Sequence, residues 1–236
     1  MKLDAVFAPA EIEGSRLTGR AIAVIDVLRA TSSILTALAN GARAVIPVDT
    51  VERAVRTARE IGAGEAVLCG ERGSRPIDGF QLGNSPAEFS KANVCGRTLV
   101  MTTTNGTPAL LAGSAGSRCI VAALLNATAA AAALAGEEDV VLLCAGRGGR
   151  FALDDAVCAG LIARRLAGAA DIEATDAARA AMVLAAEWGD SLVTMLRTTA
   201  AGRQLDRLQL GGDIASCGTL DRFAYVPEMN ALRITL

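Results

Sequence analysis

The chain contains no histidine, and this absence excludes several kinds of active site. Histidine is the most common general base in enzymes and the most common metal ligand. A Ser-His-Asp triad, a Cys-His pair, an H-E-x-x-H zinc site and a phosphohistidine intermediate are therefore all ruled out. Any catalysis must use carboxylates, arginines, hydroxyls, thiols or a metal ion held by oxygen atoms.

Aromatic side chains and lysine are also scarce. Phe, Trp and Tyr make up 3% of the 236 residues, lysine occurs only at Lys2 and Lys91, and the formal net charge is -2. Nucleic-acid binders usually carry a basic face and aromatic rings for base stacking, so we expect no nucleic-acid partner. Nearly all positive charge is arginine, which suits bidentate binding of small anions.

The cysteines and the apolar segments indicate a cytoplasmic protein. Six cysteines form no C-x-x-C pair, and most lie in apolar runs, as expected for reduced thiols that pack as small hydrophobic side chains. Asp4 and Glu11 interrupt the first residues, which argues against a signal peptide, and Asn126 interrupts the longest apolar run. We therefore predict that the protein binds no membrane.

Short apolar runs with β-sheet character alternate with Ala- and Leu-rich segments of helical length. This pattern predicts an α/β fold in which a largely parallel sheet lies between two helical layers, as a single domain over residues 1–236. The predicted strands are 21–25, 44–48, 66–69, 98–102, 119–124 and 140–144. The predicted helices are 31–40, 50–61, 107–113, 127–135, 154–167 and 175–200, the last broken near Gly189. The tail from Gly202 predicts a short helix, a loop and an edge strand.

Two stretches of the chain resemble each other at an offset of 75 residues. Leu68-Cys-Gly-Glu-Arg-Gly-Ser-Arg75 aligns with Leu143-Cys-Ala-Gly-Arg-Gly-Gly-Arg150, and the predicted strands fall in register at the same offset. This indicates a duplicated β-α-β-α-β unit, 19–78 and 94–153, with a pseudo-twofold axis and a cleft between the copies. Chance matching in a chain rich in Ala, Gly and Arg is the alternative.

Ligands of α/β proteins bind beyond the carboxyl ends of strands, and four such junctions here are polar. They are residues 26–33, 70–86, 102–107 and 144–155. At the first, Asp26 suits a divalent cation, Arg29 suits a phosphate, and the following helix start favours an anion. Each junction also has a plainer interpretation as a capped helix or a surface loop.

The fourth junction also has the spacing of a cysteine phosphatase. Cys144 and Arg150 form a C-x5-R pattern, in which a thiolate attacks phosphorus held by loop amides and arginine. Leu143 precedes the cysteine where a polar activator is expected, so a buried structural cysteine is the alternative. The P-loop motif and the paired aspartates of aspartyl-phosphate enzymes are both absent from the sequence. The remaining carboxylates and arginines suit a Mg²⁺-dependent enzyme that acts on a small polyanion.

At these junctions the chain resembles the 2-phosphosulfolactate phosphatase family. The resemblance is carried by IDVLRATSS (25–33), ANGARAVIPVDT (39–50), GERG (70–73), IDGFQLGNSP (77–86), TTTNGT (102–107) and CAGRGGRFALDDAVCAG (144–160). It implies a cytosolic, Mg²⁺-dependent α/β enzyme that removes phosphate from (2R)-2-phospho-3-sulfolactate. The product, 3-sulfolactate, lies on the way to coenzyme M in organisms that make it, and another 2-phospho acid is also open as the substrate.

For this reaction we predict that Asp26 and Glu71 hold Mg²⁺ directly or through water. Arg29, the helix start at Thr31 and Ser32, and the amides of residues 102–107 would hold the phosphoryl group. The other predicted site residues are Arg72, Asp78 and Asp154 in catalysis and Asn84, Ser85, Thr103, Thr104, Asn105, Gly106, Arg147 and Arg150 in substrate binding. Asp78 and Asp154 are both candidates for the acid that protonates the leaving oxygen, and the nucleophile stays open.

Two further interpretations compete with this one. The first is a metal-independent cysteine phosphatase that uses Cys144 and Arg150. The second is a binding protein that uses the same arginines to sense a phosphorylated or sulfonated metabolite without cleaving it. The Ala-rich helices suggest buried faces that pair, so we expect a homodimer.

Overall fold

The computed structural model describes residues 1–9 and 17–236, which contain eleven strands and ten α-helices. The strands are β1 (Lys2–Val6), β2 (Ala21–Ile25), β3 (Ala44–Pro47), β4 (Ala66–Arg72), β5 (Arg75–Pro76), β6 (Thr98–Thr102), β7 (Arg118–Ala122), β8 (Asp139–Cys144), β9 (Glu173–Ala174), β10 (Glu228–Asn230) and β11 (Arg233–Thr235). The helices are α1 (Ala30–Ala39), α2 (Val51–Ile61), α3 (Lys91–Val94), α4 (Gly106–Gly113), α5 (Ala127–Leu134), α6 (Leu153–Ala169), α7 (Asp176–Trp188), α8 (Leu192–Thr198), α9 (Ala200–Arg207) and α10 (Gly211–Cys217).

All eleven strands belong to one sheet, in the order β5-β4-β6-β3-β11-β10-β7-β2-β8-β1-β9. Strands β3, β4 and β6 are parallel to one another, and so are β7, β2, β8, β1 and β9. The hairpin β10–β11 is antiparallel to both of these blocks. The two parallel blocks therefore run in opposite directions, with the hairpin between them.

Helices cover both faces of the sheet, because alternate residues of each strand point to opposite sides. Along β2, Ala23 and Ile25 pack in a core that includes α5, α6 and α7. Ile22 and Val24 pack in a second core that includes α1 and α4. The predicted α/β fold with a largely parallel sheet is confirmed. None of the described helices combines the length and apolar character that crossing a bilayer requires.

Most predicted elements match the observed ones within a few residues, including the helix break after Trp188. The predicted position of the tail strand is wrong: the tail forms the β10–β11 hairpin at the centre of the sheet, between β3 and β7. Ile234 explains this position, because it is fully buried and pairs with Val45. Strand β1, which had no clear signal in the sequence, pairs with β8 and β9.

The strand order has the symmetry that the predicted repeat requires. Read towards the hairpin, the order is β4-β6-β3 on one side and β8-β2-β7 on the other. The middle strand of the first block, β6, belongs to the second predicted repeat. The middle strand of the second block, β2, belongs to the first predicted repeat. Cys69 of β4 pairs with Met101, and Cys144 of β8 pairs with Ile25. The duplication itself stays a prediction.

Candidate active site

The structure brings the four polar junctions together. Val27 N–H donates to Asp155 at 2.8 Å and joins the first junction to the fourth. Thr104 N–H donates to Glu71 at 2.7 Å and joins the third to the second. Gly148 N–H donates to the Asn105 side chain at 2.9 Å and joins the fourth to the third. The backbone amides and side chains of separate loops therefore form one site.

Asp26 follows β2 and opens a tight turn into α1. Its Oδ1 accepts the Ala30 N–H at 3.1 Å, while Thr31 Oγ1 both accepts from the Asp26 N–H and donates to the Asp26 carbonyl. Ser32 donates to the Val27 carbonyl. These two hydroxyls, predicted to bind substrate, are fully buried and shape the turn that holds Asp26.

Gly106, at the start of α4, lies against the other oxygen of Asp26. A Cβ atom at this position would lie 2.6 Å from Asp26 Oδ2 and 2.4 Å from Ala30 Cβ. The site therefore needs a residue without a side chain here. Thr103 Oγ1 accepts the Thr107 N–H and Thr107 Oγ1 accepts the Thr103 N–H, so this hydroxyl pair caps the start of α4.

Arg29 is buried and bound on two sides. Its Nη1 lies 2.7 Å from Asp213 Oδ2, and its Nη2 donates to the Ser74 carbonyl at 3.0 Å. Asp213 Oδ1 accepts from the Ser85 hydroxyl at 2.6 Å. The sequence predicts that Arg29 binds phosphate. In the structure Arg29 also has a carboxylate partner, Asp213 of α10.

Glu71 joins two loops through its two oxygens. Oε1 accepts the Thr104 N–H and Oε2 accepts the Ser74 N–H, both at 2.7 Å. The neighbouring Arg72 donates to Thr102 Oγ1 at 3.0 Å and to the Glu71 carbonyl. The predicted metal ligand Glu71 therefore already orients the loop amides around it.

Asp154 and Asp155 begin α6 and are both buried, but they are held differently. Asp155 accepts the Val27 N–H with Oδ1 and the Gly146 N–H with Oδ2, at 2.8 and 3.0 Å. The charge of Arg147 acts on Asp154. Asp155 was not among the predicted site residues, although the Asp-Asp pair at a helix start pointed to this place.

Burial raises the pKa of three carboxyl groups at the site, and neighbouring charges add to this for Asp26 and Asp155. Burial raises the pKa of Asp26 to about 7, the Ala30 N–H opposes this, the charges of Asp154 and Glu71 add to it, and Arg29 opposes it. Burial raises the pKa of Asp154 to about 6, against the attraction of Arg147. Burial, with the charges of Asp154 and Asp26, also raises the pKa of Asp155 well above its usual value.

A cleft of about 220 Å³ opens where these loops meet. Its lining residues are Glu71, Gly73, Ser74, Thr104, Asn105, Arg147 and Gly148. A larger depression of about 660 Å³ lies along α2, and no predicted site residue lines it. Of the predicted site residues, Glu71, Thr104, Asn105 and Arg147 line the cleft at the junctions.

Other predicted residues are either buried in the protein or exposed on its surface. Asn84 and Ser85 are buried, and Asn84 Oδ1 has no hydrogen-bond partner in the described part of the chain. Asp78 and Arg150 are exposed. Cys144 is fully buried in the core beside α6, where its sulfur is closed to a substrate.

The donor set suits a hard cation such as Mg²⁺ only in part. Oxygen atoms dominate the site, and the mutual repulsion of Asp26, Asp154 and Glu71 would be relieved by a positive charge. Within residues 1–9 and 17–236, however, no three His, Cys, Asp or Glu side chains form a ready metal-binding group. Mg²⁺ usually keeps several waters and takes one or two carboxylates, and the site fits that mode of binding.

Comparison with known proteins identifies the family of the chain. The sequence model of the family described as 2-phosphosulpholactate phosphatase matches residues 6–231. A protein of Caldanaerobacter subterraneus named probable 2-phosphosulfolactate phosphatase is 39% identical over 88% of this chain and 87% of its own. A protein of Thermotoga maritima with the same name is 39% identical over 96% and 95%. The chain therefore belongs to the 2-phosphosulfolactate phosphatase family.

Proposed function

We propose that the protein hydrolyses the phosphate ester of (2R)-2-phospho-3-sulfolactate, releasing 3-sulfolactate and phosphate, with Mg²⁺ as cofactor. The observation that carries the proposal is a set of electrostatically coupled carboxylates and arginines, of which Glu71 and Arg147 line one cleft, in a chain of this family. In an organism that makes coenzyme M, the reaction would be a step towards that cofactor.

The arginines around the cleft match the charge of this substrate, which carries phosphate, carboxylate and sulfonate groups. Among the described residues, Arg72, Arg147 and Arg150 form no ion pair with a carboxylate. Their guanidinium groups remain available to an anion, and Arg147 lines the cleft. We assign Arg147 and Arg150 to the carboxylate or sulfonate of the substrate.

Asp26 and Glu71 are the residues that would hold Mg²⁺, directly or through water. When bound, the cation would neutralise charge on the phosphoryl group. Glu71 meanwhile fixes the Ser74 and Thr104 amides, and Asp155 fixes the Val27 and Gly146 amides. These hydrogen bonds hold the loop amides in fixed positions, so the loops need not rearrange during the reaction.

Asp154 is the better candidate for the acid that protonates the leaving oxygen. Its pKa is raised to about 6, so a proton is available on its carboxyl group near neutral pH, as a general acid needs. Asp78 is exposed and has no such environment. A metal-independent cysteine mechanism gains no support, because Cys144 is fully buried.

Phosphate release tests the proposal. We expect release from 2-phosphosulfolactate to exceed release from 2-phospholactate and p-nitrophenyl phosphate, to stop with EDTA, and to continue after treatment with iodoacetamide. Activity that resists EDTA but is lost on alkylation would instead support the cysteine mechanism. Binding of the substrate without release of phosphate would support a sensor.

A further inference from the structure

The direction of the Arg29 side chain is not explained by its local sequence. Arg29 lies three residues after Asp26, and its charge lowers the pKa of that carboxyl group, so the two are close. Within the described residues, however, the Arg29 side chain bonds only to Asp213 and to the Ser74 carbonyl. Its partners come from distant parts of the chain.

Asp213 is well placed to fix this direction. It lies in the first turn of α10, is 4% exposed, and uses both oxygens, one for Arg29 at 2.7 Å and one for the Ser85 hydroxyl at 2.6 Å. Ser85 opens the short 3-10 helix Pro86–Glu88, which packs against α10. The carboxylate is therefore held from two sides.

A buried ion pair is a poor way to gain stability. Removing two charges from water is costly, and apolar side chains of the same volume often stabilise a core more. Arg29 is also only 4% exposed, so the pair is closed to solvent. Its presence beside the cleft is better explained by the orientation that it imposes.

Without Asp213, Arg29 would lose its carboxylate partner, and Asp26, on which its charge already acts, would compete for the guanidinium. An Arg29–Asp26 pair would engage the Asp26 carboxylate, whose Oδ2 faces the start of α4, and it would withdraw the guanidinium from the Ser74 loop. A guanidinium has five N–H donors, and Arg29 uses two of them in its bonds to Asp213 and Ser74. The other donors form no hydrogen bond within the described residues.

We propose that Asp213 is a positioning residue that holds Arg29 against the Ser74 loop and away from Asp26. The Asp26 carboxylate thereby stays unpaired with Arg29, which leaves its charge for a cation, and Arg29 keeps its bond to the loop that lines the cleft. The effect on reaction rate rests on the proposed function, whereas the effect on cation binding does not depend on the substrate.

The test compares Asp213→Asn, Asp213→Glu and the control Asp206→Asn. Asp206 pairs with Arg197 in an exposed ion pair of the same C-terminal helices, so its loss should have little effect. We measure Mg²⁺ affinity by isothermal titration calorimetry without substrate, and kcat and KM by phosphate release. For Asp213→Asn we expect a Kd for Mg²⁺ that is raised about 10- to 100-fold and a kcat lowered by a similar factor.

Asp213→Glu restores the charge and should recover part of both effects, which a purely structural role would not require. A folded Asp213→Asn variant with wild-type Mg²⁺ affinity and kcat would overturn the proposal. If Asp213→Asn does not fold, Ser85→Ala replaces it in the test. This variant removes the hydrogen bond to one oxygen of Asp213 and keeps the charges of Asp213 and Arg29. Wild-type Mg²⁺ affinity and kcat in Ser85→Ala would also overturn the proposal. A wild-type protein that binds Mg²⁺ but releases no phosphate would refute the proposed function alone.

Discussion

The buried carboxylates of the site differ in what they bind. Glu71 and Asp155 each accept two backbone N–H groups and join loops that are far apart in sequence. Asp26 accepts one backbone N–H and turns its other oxygen towards the start of α4, while the charge of Arg147 acts on Asp154. The first pair therefore holds the loops of the site in place.

Asp155→Asn tests this role. Asparagine has one acceptor oxygen, and its NH₂ group would face a second buried N–H donor, so we expect a loss of about 1–3 kcal/mol in the free energy of unfolding. Displacement of both loops should also lower kcat by roughly 100-fold. Urea denaturation and phosphate release measure the two effects.

The control for this variant is Asp190→Asn, which changes an exposed aspartate in the turn between α7 and α8. It should leave both quantities unchanged. Equal stability of Asp155→Asn and wild type would show that the two N–H bonds contribute nothing.

Sequence reasoning found the neighbourhood of these residues but not all of their tasks. Asp26 and Glu71 were predicted because ligands of α/β proteins bind beyond the carboxyl ends of strands. The choice between Asp154 and Asp155 depends on the rotation of α6 about its axis, which no local pattern fixes. Asp213 could not be found, because its partner Arg29 lies 184 residues away.

Among the elements, the segment before β10 is attached to α1 by a hydrogen bond from the side chain of Tyr225. The Tyr225 hydroxyl donates to the Leu35 carbonyl at 2.6 Å, and its ring lies 5.2 Å from that of Phe223. Asn126 donates to the Tyr225 carbonyl from the other side. The tail is therefore attached to α1, the helix that follows Asp26 and Arg29.

Titration of this tyrosine tests the attachment, because it is the only one in the chain. Burial raises its pKa to about 12, against the opposing effects of the Ala39 amide and Arg222. A raised pKa of an acid means that the protonated form is favoured by folding. The associated stability is present below about pH 10 and is lost as pH rises through about 12.

We expect the absorbance change at 295 nm to have its midpoint near pH 12 in the folded protein and near pH 10 in urea. Tyr225→Phe should abolish the change and cost about 0.5–1.5 kcal/mol in the free energy of unfolding. A midpoint near 10 in the folded protein would contradict the buried hydroxyl.

The elements themselves were largely predictable, because alternation of apolar and Ala-rich runs reports local structure directly. β1 was missed because its five residues include charged Lys2 and Asp4, and Asp4 is buried with a hydrogen bond from Thr175. The central position of the tail strands was missed because pairing order in a sheet is not encoded locally. Ile234 and Val45 meet across 189 residues of chain.

For the whole molecule, the β10–β11 hairpin is the connection between two opposed parallel blocks. Each of its strands pairs with a single residue of the neighbouring block, Glu228 with Ile120 and Ile234 with Val45. Both Met229 and Ile234 are buried in the core that includes α1 and α4. The hairpin therefore adds main-chain pairing and buried side chains to the core that the two blocks share.

Ile234→Ala tests this connection. We expect a loss of about 2–5 kcal/mol in the free energy of unfolding, because a fully buried side chain leaves a cavity at the seam. The matched control is Leu236→Ala, which changes a residue that is 67% exposed and should have little effect. Urea denaturation measures both, and equal midpoints for the two variants would show that the hairpin does not hold the blocks together.

The central place of this hairpin also constrains how the protein is made. The open edge of β3 appears on the ribosome about 190 residues before its partner β11, which at ordinary rates of synthesis is a wait of about 10–40 seconds. During that time the edge of β3, and later that of β7, presents unpaired backbone groups to other nascent chains. The cell must therefore protect two half-built sheets until the strands that join them have emerged.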